Sequence, residues 1–373
     1  MITAFWLLLT LFLASWMLYP LLLLILGVFR RDHDWPETGN WPSVSVLVAA
    51  RNEVDYLGGR LDNLLAQDYP GKLEILVGSD ASDDGTDRLV ASYGDRGVIL
   101  HRSDIRVGKP VLVGELYRLS SGDVLVFTDA DTVFSTDTVR RLVTPYLSDP
   151  RIGCVDGSRR NSLTGPTCES VYWRYERAVK RACSRFGAVL GATGAVFSLR
   201  RSAFVPLTAR RADDFELAVM ARVVGFTCVF NAAALAAEPS PDDGRQYRRM
   251  VRIVSWMFVS CLLLMGRALS KGKLLLFLQL LVHKLLRWLS GLFLLAATIL
   301  GGFVAAEGPV YAVLFSSMVA FHSLAAAGAA LRTRLPSKLL FPYYFWLMNG
   351  ASLEGIFRML SGNRVETWDG STR

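Results

Sequence analysis

Asp129 and Asp131, two residues apart, close the segment Asp123-Val-Leu-Val-Phe-Thr-Asp-Ala-Asp131. Residues 124–127 read as a buried strand, and because side chains alternate along a strand, both acids are expected on one face with Ala130 on the other. Carboxylates this close repel unless a cation or hydrogen-bond donors compensate them. Hard oxygen pairs of this kind suit Mg²⁺ or Mn²⁺ bridged to phosphate, so a nucleotide-diphosphate site could begin here. The plainer reading is a strand end followed by a turn or helix cap, where Asp is common. Two further acidic segments carry the same ambiguity. Asp80-Ala-Ser-Asp-Asp-Gly-Thr86 reads as a polar loop entering a helix, with Ser82 or Asp83 able to cap it. Asp213 and Asp214 precede a helical stretch over 215–224 and could do no more than cap its N-terminus.

The elements needed to position these acids alternate between the two secondary-structure periods. Residues 44–49, 73–77, 98–100 and 124–127 read as strands, and 55–67, 84–92 and 111–119 as helices. Such alternation predicts an α/β domain, a mostly parallel sheet with helices on both faces. Ligands of such sheets bind beyond the carboxyl ends of the strands, so Asp80 and Asp131 can share one crevice.

With 52% hydrophobic residues and a mean hydropathy of +0.32, the 373-residue chain is more apolar than an ordinary soluble enzyme. Residues 2–29 carry no charge and as a helix would be about 42 Å long, enough to cross the roughly 30 Å hydrocarbon core. Arg30 and Arg31 follow this stretch rather than precede it, which argues against a cleaved signal and places the N-terminus outside and the next domain in the cytoplasm. Residues 252–269 read as an amphipathic interfacial helix, and 285–306 and 310–331 as two spans flanked by Arg332, Arg334 and Lys338 inside. A full crossing by 339–360 would put Arg358, Arg364 and Arg373 outside, so a re-entrant or tilted interfacial segment is expected there. His283, Lys284 and Arg287 are expected as interfacial anchors, Trp288 in an aromatic belt and His322 as a packed or hydrogen-bonded histidine. The five cysteines have no Cys-x-x-Cys spacing and read as core residues. A net charge of +8 without a nucleic-acid motif points to anionic lipid or substrate phosphate, not to nucleic acid.

The order of the short motifs resembles the membrane-bound family 2 glycosyltransferases, which include bacterial exopolysaccharide, cellulose and hyaluronan synthases and share a GT-A catalytic fold. Val46-Leu-Val-Ala-Ala-Arg-Asn-Glu53 is similar to the family's first strand, Gly108-Lys109 to its Gly-Lys, Asp129-Ala-Asp131 to its metal and diphosphate motif, and Ala192-Thr-Gly-Ala195 to its acceptor-side segment. Asp213-Asp214 stands where the family has Glu-Asp, Gln246-Tyr-Arg-Arg-Met250 resembles Gln-x-x-Arg-Trp, and His283-Lys-Leu-Leu-Arg-Trp288 is like a segment preceding C-terminal membrane helices. The resemblance implies donor contacts at Ala50, Arg51, Glu53, Asp80 (the nucleotide base), Lys109, Asp129, Gln246 and Arg249. It also implies Mg²⁺ or Mn²⁺ on Asp131 and Asp129, an acceptor beside Thr193 and Gly194, and Asp214, with Asp213 secondary, as the base of an inverting transfer from a nucleotide diphosphate sugar, a uridine diphosphate sugar first among them.

The domains expected are an N-terminal transmembrane helix (1–29), a linker (30–42), a cytoplasmic GT-A domain (43–235), the Gln-x-x-Arg region with its interfacial helix (236–272), a C-terminal membrane region (273–360) and a tail (361–373). The implied acceptor is a saccharide or lipid-linked molecule of cell-envelope or exopolysaccharide synthesis in the cell membrane. Three positions depart from the family. Met250 replaces the Trp that stacks on acceptor sugar in processive enzymes, with Tyr247 and Trp256 as substitute platforms; Asp213 replaces Glu, and Val113 an Asn. The first departure keeps a single-addition glycolipid transferase, similar to ceramide glucosyltransferases, as an alternative. A nucleotidyltransferase would need a Gly-rich phosphate loop after the first strand, which Ala49-Ala-Arg-Asn-Glu53 lacks. Retention of all the acids argues against a non-enzymatic scaffold.

Overall fold

The computed structural model describes residues 1–30, 33–161, 168–208, 211–238, 243–331 and 334–362. The flanking charges Arg31, Arg332, Arg364 and Arg373 and most of the tail lie outside the described residues, as does the side chain of Lys338.

The sheet grows from β1 (Val44–Ala50), which is buried along its whole length. β2 (Leu73–Asp80) and then β3 (Val98–Ser103) pair parallel on one side, and β4 (Val124–Asp129) pairs parallel on the other. Strands apolar on both faces require cover on both, and the helices supply it. Val54–Leu65 and Thr138–Ser148 pack Leu57, Leu61, Leu64, Val139 and Leu142 onto Val46, Val48, Val77 and Val126. Lys109–Leu119, Cys168–Ser184 and Asp213–Val223 pack Leu112, Leu116, Val179, Leu217 and Ala218 onto Leu47, Leu76, Leu125 and Phe127.

Beyond β4 the sheet is mixed. β7 (Phe197–Arg200) runs antiparallel to β4 and to β6 (Ile152–Asn161), β8 (Thr227–Glu238) is parallel to β6, and β5 (Val133–Phe134) is antiparallel to β8. The mostly parallel pattern therefore holds for β3-β2-β1-β4 and gives way in the half formed by β7, β6, β8 and β5, although helices still separate β5 from β6, β6 from β7 and β7 from β8. The two core clusters lie on opposite faces of this sheet, and the free carboxyl ends of β1, β2 and β4 open at one edge.

Among the described residues, four helices are long and apolar enough to cross a membrane: Ile2–Gly27, Gln246–Ser270, Ser290–Glu307 and Pro309–Leu331. The expected interfacial stretch is thus part of one long helix, Asp243–Ser270. Its Val254, Cys261, Leu264 and Met265 pack against Phe215, Val219 and Met220 of the Asp213–Val223 helix, while Leu262, Leu263 and Leu269 are exposed. Residues 341–360 form an unbroken helix rather than a re-entrant turn. Asn349 on it accepts hydrogen bonds from Ser290 Oγ (3.0 Å) and Gly291 N (2.9 Å), and a Cβ on Gly355 would lie 2.7 Å from Val251 O, so small and polar residues let these helices approach closely.

The anchor assignments change. Arg287 forms an ion pair with Glu176 of the Cys168–Ser184 helix and lies 4.2 Å over the Trp16 ring, and Trp288 and His283 are buried. Burial would raise the Glu176 carboxyl, but Arg287 overcomes it and holds the group down at about 2. Tyr175 Oη donates to Trp16 O (2.8 Å) and Arg185 Nη1 to Gly27 O (3.1 Å), so the second half of the first helix is fastened to the α/β domain. These side chains bolt the domain to the long apolar helices, and the Arg287–Glu176 pair is largely buried between the two. His322, as expected, is hydrogen-bonded, accepting from Trp346 Nε1 at 3.1 Å and paired with Thr298 Oγ1 at 2.9 Å. The four cysteines whose side chains are described are buried and unbridged.

Candidate active site

Asp129 is the last residue of β4, and Asp131 lies in the turn just beyond it rather than on the strand. Ala130 is buried while both acids are partly exposed, so they still open to one side. The neighbouring strand end aims a lysine at them. Asp80, fully buried at the end of β2, accepts hydrogen bonds from Val107 N (2.7 Å) and Gly108 N (3.1 Å). Gly108 has φ +84°, a left-handed turn that a glycine makes without strain, and it starts the Lys109–Leu119 helix. From there Lys109 Nζ donates to Asp129 Oδ1 at 2.7 Å and lies 3.6 Å from Asp213 Oδ2. Burial alone would lower the Lys109 pKa; Asp129 and Asp213 instead raise it well above the ordinary lysine value.

Asp213 and Asp214 begin the Asp213–Val223 helix, where the helix dipole favours acids. Asp214 Oδ1 accepts from Phe215 N at 2.7 Å. The other oxygen faces the loop of residues 192–195: a Cβ built on Gly194 would stand 3.0 Å from Asp214 Oδ2. That loop is held from below. Thr193 N donates to Asp156 Oδ1 (2.7 Å), and Lys180 Nζ donates to Asp156 Oδ2 (2.6 Å) and Thr193 Oγ1 (2.9 Å). Burial first and Asp213 second raise the Asp214 pKa to about 6, against the pull of Lys109. A carboxylate so tuned is ionised at neutral pH yet more basic than a free one, the balance a general base needs.

Two more groups lie at strand ends of the sheet. Glu238, buried at the end of β8, pairs with Arg159 (3.0 Å) and with Arg249 (3.6 Å), and Gln246 Oε1 is buried with no hydrogen-bond donor among the described residues. At the end of β1, Arg51 Nη1 donates to Asp80 O at 3.3 Å, and Glu53 is buried with its N–H on Thr86 Oγ1 (2.9 Å). A separate hollow lined by Ser82, Asp83, Arg88 and Arg102 lies on the outer side of the Asp80 loop and contains neither acid pair.

Residues 45–207, which include the ends of β1, β2 and β4 and the 192–195 loop, match the family described as Glycosyl transferase family 2. They form a family 2 glycosyltransferase domain. Among curated proteins, the chain is 29% identical over 238 residues to an N-acetylglucosaminyltransferase of Mesorhizobium japonicum, covering 58% of this chain and 56% of that protein. It is 31% identical over 238 residues to one of Rhizobium leguminosarum bv. viciae, covering 57% and 55%. The chain thus spans about half the length of these relatives. A shorter match, 32% over 120 residues, is to a beta-monoglucosyldiacylglycerol synthase of Synechocystis sp., covering 31% of this chain and 25% of that protein. In fold, the chain superposes on a mannosyltransferase of Pyrobaculum calidifontis, solved with GDP-Man and Mn²⁺, with a TM-score of 0.72 over 97% of this chain and 99% of the other, at 22% identity. The GT-A fold extends over the glycosyltransferase domain, and the likeness continues through the long apolar helices.

The glycosyltransferase domain brings Lys109, Asp129, Asp131, Asp213 and Asp214 to one crevice, with Thr193 and Gly194 on the far side of Asp214. Ala50, Arg51 and Glu53 sit at the neighbouring strand end, where Ala50 and Glu53 are buried. Asp80 reaches the site through the backbone it holds. Met250 is packed into the apolar cluster beneath the Asp213–Val223 helix, and Tyr247 Oη is tied to Glu354 Oε2 at 2.6 Å. Sequence reasoning passed over Asp156, Lys180 and Glu238, whose partners come from distant segments, and Arg60. Arg60 did leave a signal: it falls at helical spacing among Leu57, Leu61 and Leu64, on the face that must be buried.

Proposed function

We propose that the chain is an inverting, metal-dependent, membrane-integral glycosyltransferase. It transfers a hexose or N-acetylhexosamine from a nucleotide diphosphate sugar, a uridine diphosphate sugar being the first donor to test, to a saccharide or lipid-linked acceptor at the cytoplasmic face of the cell membrane. One observation carries this reading: Lys109 bridges Asp129 and Asp213 while Asp214 presents its second oxygen to the Gly194 loop, so a diphosphate-binding edge and a proton acceptor lie side by side.

The acid pair suits a divalent ion. An ammonium group already lies 2.7 Å from Asp129 Oδ1, so the position tolerates a cation. No group of three or more His, Cys, Asp or Glu side chains that could hold a metal occurs among the described residues. A hard ion held by Asp131 and Asp129 would therefore complete its oxygen shell with diphosphate and water, as Mg²⁺ and Mn²⁺ do. Bound there, it would neutralise charge developing on the leaving diphosphate.

The remaining chemistry belongs to the chain. Arg249 swings from Glu238 towards the diphosphate, and Lys109 adds a second positive charge beside it. Asp214 Oδ2 accepts the proton of the acceptor hydroxyl; the oxygen–anomeric carbon bond forms as the bond from that carbon to the diphosphate breaks, and the nucleoside diphosphate leaves. Attack from the face opposite the leaving group inverts the anomeric centre without a covalent enzyme intermediate. Asp213 raises the basicity of its neighbour.

The partly buried thioether of Met250 favours short or single additions over long polymer, because it offers no aromatic plate for a sugar. The match to a glycolipid synthase points the same way. Gln246–Ser270 is read as lying along the membrane surface, because one face packs on the Asp213–Val223 helix while the other exposes leucines. The test is to supply the purified chain in lipid with a panel of nucleotide sugars and to follow nucleoside diphosphate release and product size. No release with any donor, with and without lipid acceptors, would leave the non-enzymatic scaffold as the reading.

A further inference from the structure

We infer that Arg60 is a positioning residue for the acid pair, a buried clamp and counter-charge that keeps Asp129 and Asp131 from holding a divalent ion until a nucleotide diphosphate arrives with it. The inference rests on the metal reading above and assigns a role to a residue outside the family's motifs.

Arg60 is 2% exposed on the inner face of the Val54–Leu65 helix. Its Nη2 donates to Thr128 Oγ1 at 2.6 Å, the residue directly before Asp129, and its Nη1 donates to Asn63 Oδ1 at 2.6 Å. The guanidinium lies 4.1 Å from the centre of the Phe134 ring, three residues past Asp131. Asn63 grips the same residue by its backbone, accepting from Phe134 N (2.8 Å) and donating to Phe134 O (2.8 Å). One helix therefore holds both ends of the segment that carries the acids. The grip extends further, because Thr128 Oγ1 donates to Ala195 O (2.9 Å) in the loop facing Asp214.

The charge matters as much as the clamp. A guanidinium stays protonated in proteins, and a buried charge without compensation is costly. Among the described residues Arg60 forms no ion pair, and its Nε is buried without a hydrogen-bond acceptor. Its countercharge must act through space. Burial lowers the Arg60 pKa, and the charges acting against that shift are those of Asp129 and Asp131. Lys109 also sits on Asp129, but it is shared with Asp213, so Arg60 is the cation whose charge is directed at Asp129 and Asp131. A dication arriving alone meets an acid pair whose pull is weakened by Arg60, whereas a diphosphate supplies negative charge of its own.

The experiment measures Mn²⁺ binding to the full chain in lipid by the paramagnetic signal of the free ion, alone and with uridine or guanosine diphosphate, for wild type, Arg60→Met and Arg60→Lys. Wild type should bind Mn²⁺ at least about tenfold more tightly with diphosphate than without it. Arg60→Met, checked for folding by circular dichroism, should bind the lone ion about tenfold more tightly than wild type, whereas Arg60→Lys should stay close to wild type. A folded Arg60→Met with wild-type affinity for the lone ion overturns the inference and leaves the metal reading intact. Wild type that binds Mn²⁺ equally well with and without diphosphate overturns it without recourse to a variant. No Mn²⁺ binding under either condition sinks the metal reading and this inference together.

Discussion

Replacing Gly194 by alanine puts one methyl group where the acceptor hydroxyl must come. The new Cβ would stand 3.0 Å from Asp214 Oδ2, 3.6 Å from its Cγ and 3.7 Å from its Cβ, so one side has to yield by a few tenths of an ångström. The loop cannot move freely: Thr193 is anchored on Asp156, and Val196 N donates to Thr193 O at 2.8 Å. The carboxylate is tethered through Oδ1 to Phe215 N, so it must rotate about that bond, and the methyl still fills the space beside Oδ2. Misplacing reacting groups by about 1 Å costs on the order of 10²-fold in rate, and that is the loss expected in turnover. Donor affinity should change by no more than a few fold, because Lys109 and Asp131 are untouched. The assay is nucleoside diphosphate release at saturating donor, with donor affinity measured separately by calorimetry. Gly59→Ala is the control: its Cβ meets nothing within 4 Å on an exposed helical position, so activity should persist while stability rises by about 0.5–1 kcal/mol. Wild-type turnover in Gly194→Ala would refute the placement of the acceptor beside Asp214.

Asp131→Asn should abolish Mn²⁺-dependent nucleotide binding in calorimetry, since a neutral amide cannot replace the charge that holds a dication against a diphosphate. Turnover should fall about tenfold per unit as pH drops below about 6, because Asp214 acts only when ionised and its pKa is raised to about 6; a profile flat to pH 5 would remove it as the base. Glu176→Gln should lower the melting temperature by several degrees without changing donor affinity, because it strands the buried Arg287 at a cost of roughly 3 kcal/mol or more. Glu176 has its folded pKa depressed to about 2, so in wild type this contribution is present above the ordinary glutamate range and is lost only as pH falls through about 2, which a melting series at decreasing pH would follow.

The parallel strands were legible because each is an apolar run followed by a polar loop and a helical period, as at 44–53 and 124–131. The acids were legible because they lie at strand ends, where apolar patterning stops. The mixed half of the sheet was not, since β5 is two residues long and β7 four, too short for any period to show. Arg287 and His283 beside an apolar stretch look like lipid-boundary residues in sequence, and only the arrival of Glu176 from 111 residues away turns Arg287 into half of a buried pair. Asp80 is expected at the nucleotide base; its carboxylate also accepts from the Val107 and Gly108 amides, a backbone contact that no residue pattern announces.

The central claim is tested most directly by nucleoside diphosphate release from a panel of nucleotide sugars, comparing wild type with Asp214→Asn in lipid, each with Mn²⁺ and with a chelator. The account predicts release by wild type from at least one donor, its loss with chelator, and a fall of about 10² or more in Asp214→Asn with donor affinity kept within a few fold, because only the proton acceptor is removed. Equal release by wild type and Asp214→Asn would contradict it and return Asp214 to the role of a helix cap.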